Sequence, residues 1–134
     1  MIPDLKMESK MRFQAVVAAA ALMAISAPAM AHPKLVSANP APNATVAPTA
    51  RVQVTFTEAL LPKLSGADIV MTGMPGMDSH PPMKMPAKMA VSPDRKTMIL
   101  TLAKPLLKGT YRLDWHGVSA DTHRVKGSYA FKVA

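Results

Sequence analysis

The chain contains no cysteine. Disulfide staples are therefore excluded, and so is thiolate as a metal ligand. Any soft-metal chemistry falls to methionine and histidine, with carboxylates and the amino terminus as the other donors. Aromatic residues are scarce too: one Trp, two Tyr and three Phe in 134 residues. Five of the six lie after residue 31, which leaves little material for an enzyme's substrate cleft. Acidic residues are half as many as basic ones, 8 against 16, for a formal charge of +8. The basic residues are scattered, with no block of the kind that tracks a phosphate backbone, so nucleic acid is not an expected partner. The charge reads instead as solubility, or as attraction to an anionic surface or partner. After residue 31 no stretch has a convincing helical period.

What is present begins with an address. Lys10 and Arg12 make a basic start, Phe13 to Ile25 is apolar and Ala-rich, and Ala29-Met30-Ala31 ends the segment in a small-x-small pattern. This is the layout of a secretory signal peptide over residues 1–31, cleaved after Ala31. A retained anchor is the alternative; Pro28 and the Ala-rich composition weigh against it. Cleavage leaves one domain, residues 32–134, with His32 as its first residue.

That domain reads as all-β. Arg51–Thr57 alternates, with Val52, Val54 and Phe56 on one face. Ala67–Thr72, Lys88–Val91, Thr97–Leu102 and Gly109–His116 are further strands, and Tyr129, Phe131 and Val133 share a face of the last one. Lys34–Ala38 is a short first strand, Ser92-Pro-Asp-Arg95 a turn, and Leu60–Leu64 at most one turn of helix. Short strands separated by Pro and Gly predict a β-sandwich or Greek-key barrel.

Between two of these strands lies Met71-Thr-Gly-Met-Pro-Gly-Met-Asp-Ser-His-Pro-Pro-Met-Lys-Met-Pro-Ala-Lys-Met89, which holds six of the chain's twelve Met residues and His80. Its Gly and Pro residues break any helix or central strand. Met71, Met74 and Met77 are three apart, a spacing that an extended polyproline-like segment would place on one side. Thioethers with one imidazole suit Cu(I). A flexible cover or an adaptable contact surface is the alternative for a Met-rich loop.

All four His residues, 32, 80, 116 and 123, follow the leader. Freed by cleavage, His32 offers its α-amino group and its ring to one ion; that amine has an ordinary pKa of about 7.7–8.0, so a Lewis acid displaces its proton at modest cost. In Asp121-Thr-His123 residues two apart share a side if the segment is extended. With His32 they would make a tetragonal N₃O set, a Cu(II) geometry. Alternatively His32 is a frayed terminus and Asp121 caps a turn. Glu58, at the end of a strand, is a fourth contact, a holder of the terminal amine, or a solvated carboxylate. His116 is read as a surface or structural residue, and Trp115 as core.

His32-Pro-Lys-Leu-Val-Ser, Met71-Thr-Gly-Met-Pro-Gly-Met77 and Tyr111-Arg-Leu-Asp-Trp-His-Gly-Val-Ser-Ala-Asp-Thr-His123 closely resemble the CopC family of periplasmic copper-binding proteins. The resemblance covers all of residues 32–134. It implies a seven-stranded Greek-key β-barrel of cupredoxin-like or immunoglobulin-like appearance, with copper sites at opposite ends. It puts the Cu(II) roles on His32, Glu58, Asp121 and His123, and the Cu(I) roles on Met71, Met74, Met77, His80 and Met83. The loop departs from the family pattern by one residue inserted between Met77 and His80, and by the extra Met85 and Met89. The implied protein is a periplasmic copper carrier involved in copper homeostasis and resistance, a monomer and not an enzyme. Its expected partners are copper ions and an inner-membrane copper transporter or a multicopper oxidase. Two other readings stay open: a copper monooxygenase using a histidine brace at His32, and a protein-binding sandwich with Met as its contact surface.

Overall fold

The computed structural model describes residues 32–134; the expected leader, residues 1–31, lies outside the described residues. Nine strands run in chain order: β1 (Leu35–Asn39), β2 (Thr45–Val46), β3 (Arg51–Phe56), β4 (Gly66–Gly73), β5 (Met83–Met85), β6 (Lys88–Val91), β7 (Thr97–Thr101), β8 (Gly109–Val118) and β9 (Arg124–Val133). They form a four-stranded sheet, β1-β3-β7-β6, and a five-stranded sheet, β2-β9-β8-β4-β5. The only helical piece among the described residues is a 3-10 turn at Pro62–Leu64, inside the segment expected to hold one turn. No helix among them is long and apolar enough to cross a membrane.

The alternation read from the sequence decides which way each strand faces. Val52 and Val54 are wholly buried and pair with Leu100 and Met98 of β7. Opposite them, Ile69 and Met71 of β4 pair with Leu113 and Tyr111 of β8, and Tyr111 pairs with Phe131 of β9. These inner faces close one core. Tyr111 and Phe131 stack at 5.6 Å, and Phe56 meets Trp115 edge to face at 4.8 Å, so aromatic contacts run both within a sheet and between the sheets. Each such pair adds about 0.5–1.5 kcal/mol beyond area burial.

Seven of the nine strands match the expected ones; β2 and β5 are additional. β2 is two residues long and runs parallel to the end of β9. It is too short for any alternation to register. β5 lies inside the Met-rich stretch, where Pro81, Pro82 and Pro86 argued only against a central strand; β5 is an edge strand, the place where such neighbours are tolerated.

The polyproline-like spacing expected for Met71, Met74 and Met77 is overturned. β4 and β5 are the legs of one long hairpin, with Met71 opposite Met83 and Ile69 opposite Met85. Beyond Gly73 the chain folds into a tight turn in which Met74 and Met77 exchange both backbone hydrogen bonds, each 2.9 Å. Pro75 and Gly76 occupy its corners. Gly76 has φ of 83°, which Gly adopts without strain, and Pro-Gly at these positions is the signature of a type II turn. The root of the hairpin is tight. A side chain on Gly109 would come within 2.6 Å of the Gly73 carbonyl oxygen, so the two backbones touch directly.

Candidate metal centres

His32, Asp121 and His123 converge at one end of the sandwich. One donor atom from each lies within 4.8 Å of the other two, and all three residues are exposed. The two imidazoles meet edge to face with centroids 4.8 Å apart.

Asp121 and His123 do not meet because the segment is extended, as the spacing suggested. They meet because Ser119–His123 is the turn between β8 and β9. The Thr122 amide donates to the Ser119 carbonyl at 2.9 Å, and Thr122 has φ of 68°, in the left-handed region that tight turns use. The Asp121 carboxylate gathers the turn. It accepts from the Ser119 hydroxyl, from the His123 amide at 3.2 Å and from His123 Nδ1 at 2.9 Å. The Ser119 hydroxyl, then the His123 ring and amide, hold the Asp121 carboxyl well below the usual carboxylate range. Asp121 is thus a turn residue with an ionised carboxylate, one that could also serve a metal ion. Because a carboxylate only accepts, Nδ1 of His123 carries the proton in this hydrogen bond.

His32 is brought to this turn by the end of β3. Pro33 is buried. The Lys34 amide donates to Thr57 Oγ1 at 3.0 Å, the Thr57 hydroxyl reaches the His32 carbonyl at 3.5 Å, and the Thr57 amide donates to the Lys34 carbonyl at 2.8 Å. Glu58 follows Thr57, half-buried. Its carboxylate is not one of the donors within the 4.8 Å group. It does stand between two anchors to that group: Thr57 ties back to His32 and Lys34, while Leu60 bridges to Ser119.

The Met hairpin is at the other end of β8, whose ten residues span about 30 Å. Met71 is in the core, 7% exposed, whereas Met74, Met77 and Met83 present their thioethers at 37%, 51% and 53% exposure. Met85 and Met89 pack against the core. The His80 amide donates to the Thr72 carbonyl at 3.0 Å, which pins the residue across the hairpin. Its Nδ1 lies 2.7 Å from the Pro81 carbonyl, an acceptor only, so Nδ1 carries the proton. In the neutral ring Nε2 is then the lone-pair nitrogen. It is buried and has no hydrogen-bond partner. An unpaired buried polar atom is costly, and a role as donor to a metal ion is one reason a fold could tolerate it. His116 is half-buried on β8, beside Gly66, and joins neither group.

Two residues that sequence reasoning missed are Thr57 and Ser119. Neither offers a donor typical of a metal, but one holds the His32 segment and the other orients Asp121. Their signal was local: Ser119 stands two residues before Asp121, the separation at which short hydroxyl and carboxylate side chains bond one another in turns.

The CopC domain model matches residues 35–134. Copper resistance protein C of Xanthomonas campestris pv. juglandis is 58% identical over 118 residues, 88% of this chain and 91% of that protein. Copper resistance protein C of Escherichia coli is 44% identical over 120 residues, 90% of this chain and 95% of that protein. The crystal structure of PcoC, a methionine-rich copper resistance protein from Escherichia coli, superimposes with a TM-score of 0.71 at 44% identity, covering 78% of this chain and all of that one. CopC from Methylosinus trichosporium OB3b superimposes with a TM-score of 0.58 at 26% identity, covering 76% and 93%.

Proposed function

The chain belongs to the CopC family, and from that premise we propose that it is a periplasmic copper carrier with two sites of opposite preference. The observation that carries this is the convergence of His32, Asp121 and His123 to within 4.8 Å. Cleavage after Ala31 adds the His32 amine to the ring nitrogens and the Asp121 carboxylate. Three nitrogens and one oxygen favour Cu(II). In this reading Glu58 steadies the amine or takes a fifth position. The Met hairpin takes Cu(I): the lone-pair Nε2 of His80 and the exposed thioethers of Met74, Met77 and Met83 are soft donors. Met71 contributes if its buried sulfur turns outward from the core.

Relatives named for copper resistance support a copper-handling role, and the leader expected over residues 1–31 supports export to the periplasm. There the carrier buffers copper or passes it to an inner-membrane transporter or a periplasmic copper protein. Change of oxidation state alters which end binds better, so redox state sets where the ion sits. A monooxygenase reading is disfavoured by Asp121, whose ionised carboxylate occupies space at the metal that oxygen chemistry needs open.

The test is a Cu(II) titration of the chain cut to begin at His32, followed through Trp115 fluorescence, beside one with a single Ala added before His32. The expected result is at least a tenfold loss of affinity with the added residue, equivalent to about 1.4 kcal/mol. Equal affinity removes the terminal amine from the ligand set and overturns the N-terminal site as proposed.

A further inference from the structure

Beside the Met hairpin the surface carries a feature that copper binding does not use. Two adjoining hollows, about 380 and 480 Å³, share Pro86, Leu102 and Ala103. The larger is also lined by Met85 of β5 and by Leu106 and Leu107. Leu107 is 74% exposed, more than any other large apolar residue described. Together these residues make an apolar groove between the edge strand β5 and the segment linking β7 to β8.

Its rim is of one sign. Lys88 lines the smaller hollow and Lys104 the larger, and Lys108 follows Leu107 in the chain. All three are exposed, and none forms an ion pair among the described residues. The segments 84–91 and 102–108 contain no acidic residue. Acidic residues lie elsewhere: Glu58 and Asp121 belong to the His32 end, Asp94 to the turn before β7, Asp68 and Asp114 to the strands of the larger sheet, and Asp78 to the Met turn. An apolar hollow ringed by unpaired cations selects a partner with the opposite pattern.

We propose that this groove is the docking surface for a partner protein that presents an apolar side chain surrounded by carboxylates. Leu107, Ala103 and Pro86 receive the apolar anchor, and Lys88, Lys104 and Lys108 meet the carboxylates. The groove is continuous with the hairpin, because Met85 lines it while Met83, two residues earlier on β5, is exposed among the thioethers. A partner seated there sits next to the Met hairpin. The inference rests on the carrier reading for its purpose, delivery or receipt of Cu(I), but not for its existence as a binding surface. The lysines give fast, salt-sensitive encounter and the groove gives orientation.

The probe is a synthetic peptide with one Leu flanked on each side by Glu residues, titrated into ¹⁵N-labelled protein beginning at His32. A peptide with Lys in place of Glu, and vesicles of anionic phosphatidylglycerol, serve as comparisons. Shifts confined to Met85, Ala103, Lys104 and Leu107 are expected with the acidic peptide alone. They should be lost in 0.5 M salt on the order of the screening length of a few Å, and in the variant K88E/K104E/K108E. Leu107→Ser should weaken the peptide several-fold and leave the fold intact, since the side chain is exposed. Shifts spread over every lysine-bearing face, or none, overturn the proposal, and stronger binding by the vesicles at the same residues reassigns the face to a membrane. Cu(I) binding is measured on the same samples. Its failure in the unaltered protein overturns the carrier reading, whereas loss of peptide binding with Cu(I) binding retained condemns only the groove.

Discussion

Replacing Thr57 by Val tests whether the Cu(II) end is preformed. Val keeps the shape and removes only the hydroxyl. The hydrogen bond lost outright is the one from the Lys34 amide, 3.0 Å, while the contact to the His32 carbonyl, at 3.5 Å, is long and counts for little. The backbone bond from the Thr57 amide to the Lys34 carbonyl survives. A net hydrogen bond is worth about 0.5–1.5 kcal/mol. If that energy is what holds His32 against His123, the ordering it supplied must come from metal binding in the variant, and Cu(II) affinity falls by about 2- to 12-fold. The assay is competition titration against a chromophoric chelator, with urea unfolding alongside. Thr57→Ser should restore binding, because it returns the hydroxyl. Cu(I) affinity at the Met hairpin, about 30 Å away along β8, should not change. An unaltered Cu(II) affinity in Thr57→Val would show that the segment is held by Pro33 and the backbone alone, and the argument for Thr57 would fail.

Two further outcomes follow from the geometry. Ser119→Ala removes the largest influence on the Asp121 carboxyl, so its midpoint, read by ¹³C NMR of the side-chain carboxyl, should rise toward the ordinary Asp value of about 3.9. The native carboxyl is depressed, so its contribution to stability is present above that ordinary value and is lost as pH falls through the native midpoint; an unmoved midpoint would refute the role of Ser119. The Met residues should divide by burial. Met71→Ala should cost about 2–5 kcal/mol of stability as a core truncation, whereas Met77→Ala, at an exposed position, should stay within about 0.5 kcal/mol and instead weaken Cu(I). Urea unfolding and Cu(I) competition separate the two, and equal stability losses would contradict the assignment of Met77 to the surface.

The strands were legible wherever alternation ran for four residues or more. Val52, Val54 and Phe56 all face inward as their spacing predicts. β2 and β5 were not, since two or three residues carry no period and their pairing depends on distant strands. At the Met stretch the residue types were informative and the geometry was misjudged. Read as breakers, Pro75 and Gly76 end a helix or strand; at the corners of a type II turn the same pair makes a hairpin, which groups Met74 with Met77 by cross-strand pairing. Asp121 and His123 were chosen by a spacing argument for extended chain, and a turn accomplished the same meeting. What no spacing could reveal is that Thr57 of one sheet holds the segment that presents His32. That contact exists only once β1 and β3 have paired.

The length of β8 also bears on kinetics. On the carrier reading proposed above, an ion cannot step from His80 to His123, because ten residues of packed strand separate the two ends and His32, Asp121 and His123 are the one cluster of three His or carboxylate donors among the described residues. Exchange between the ends therefore requires that the ion leave the protein or be handed to a second molecule. Its rate is set by dissociation or by collision, and in the latter case it grows with protein concentration. If both proposed sites fill, one strand makes the two ends independent reservoirs on a single molecule.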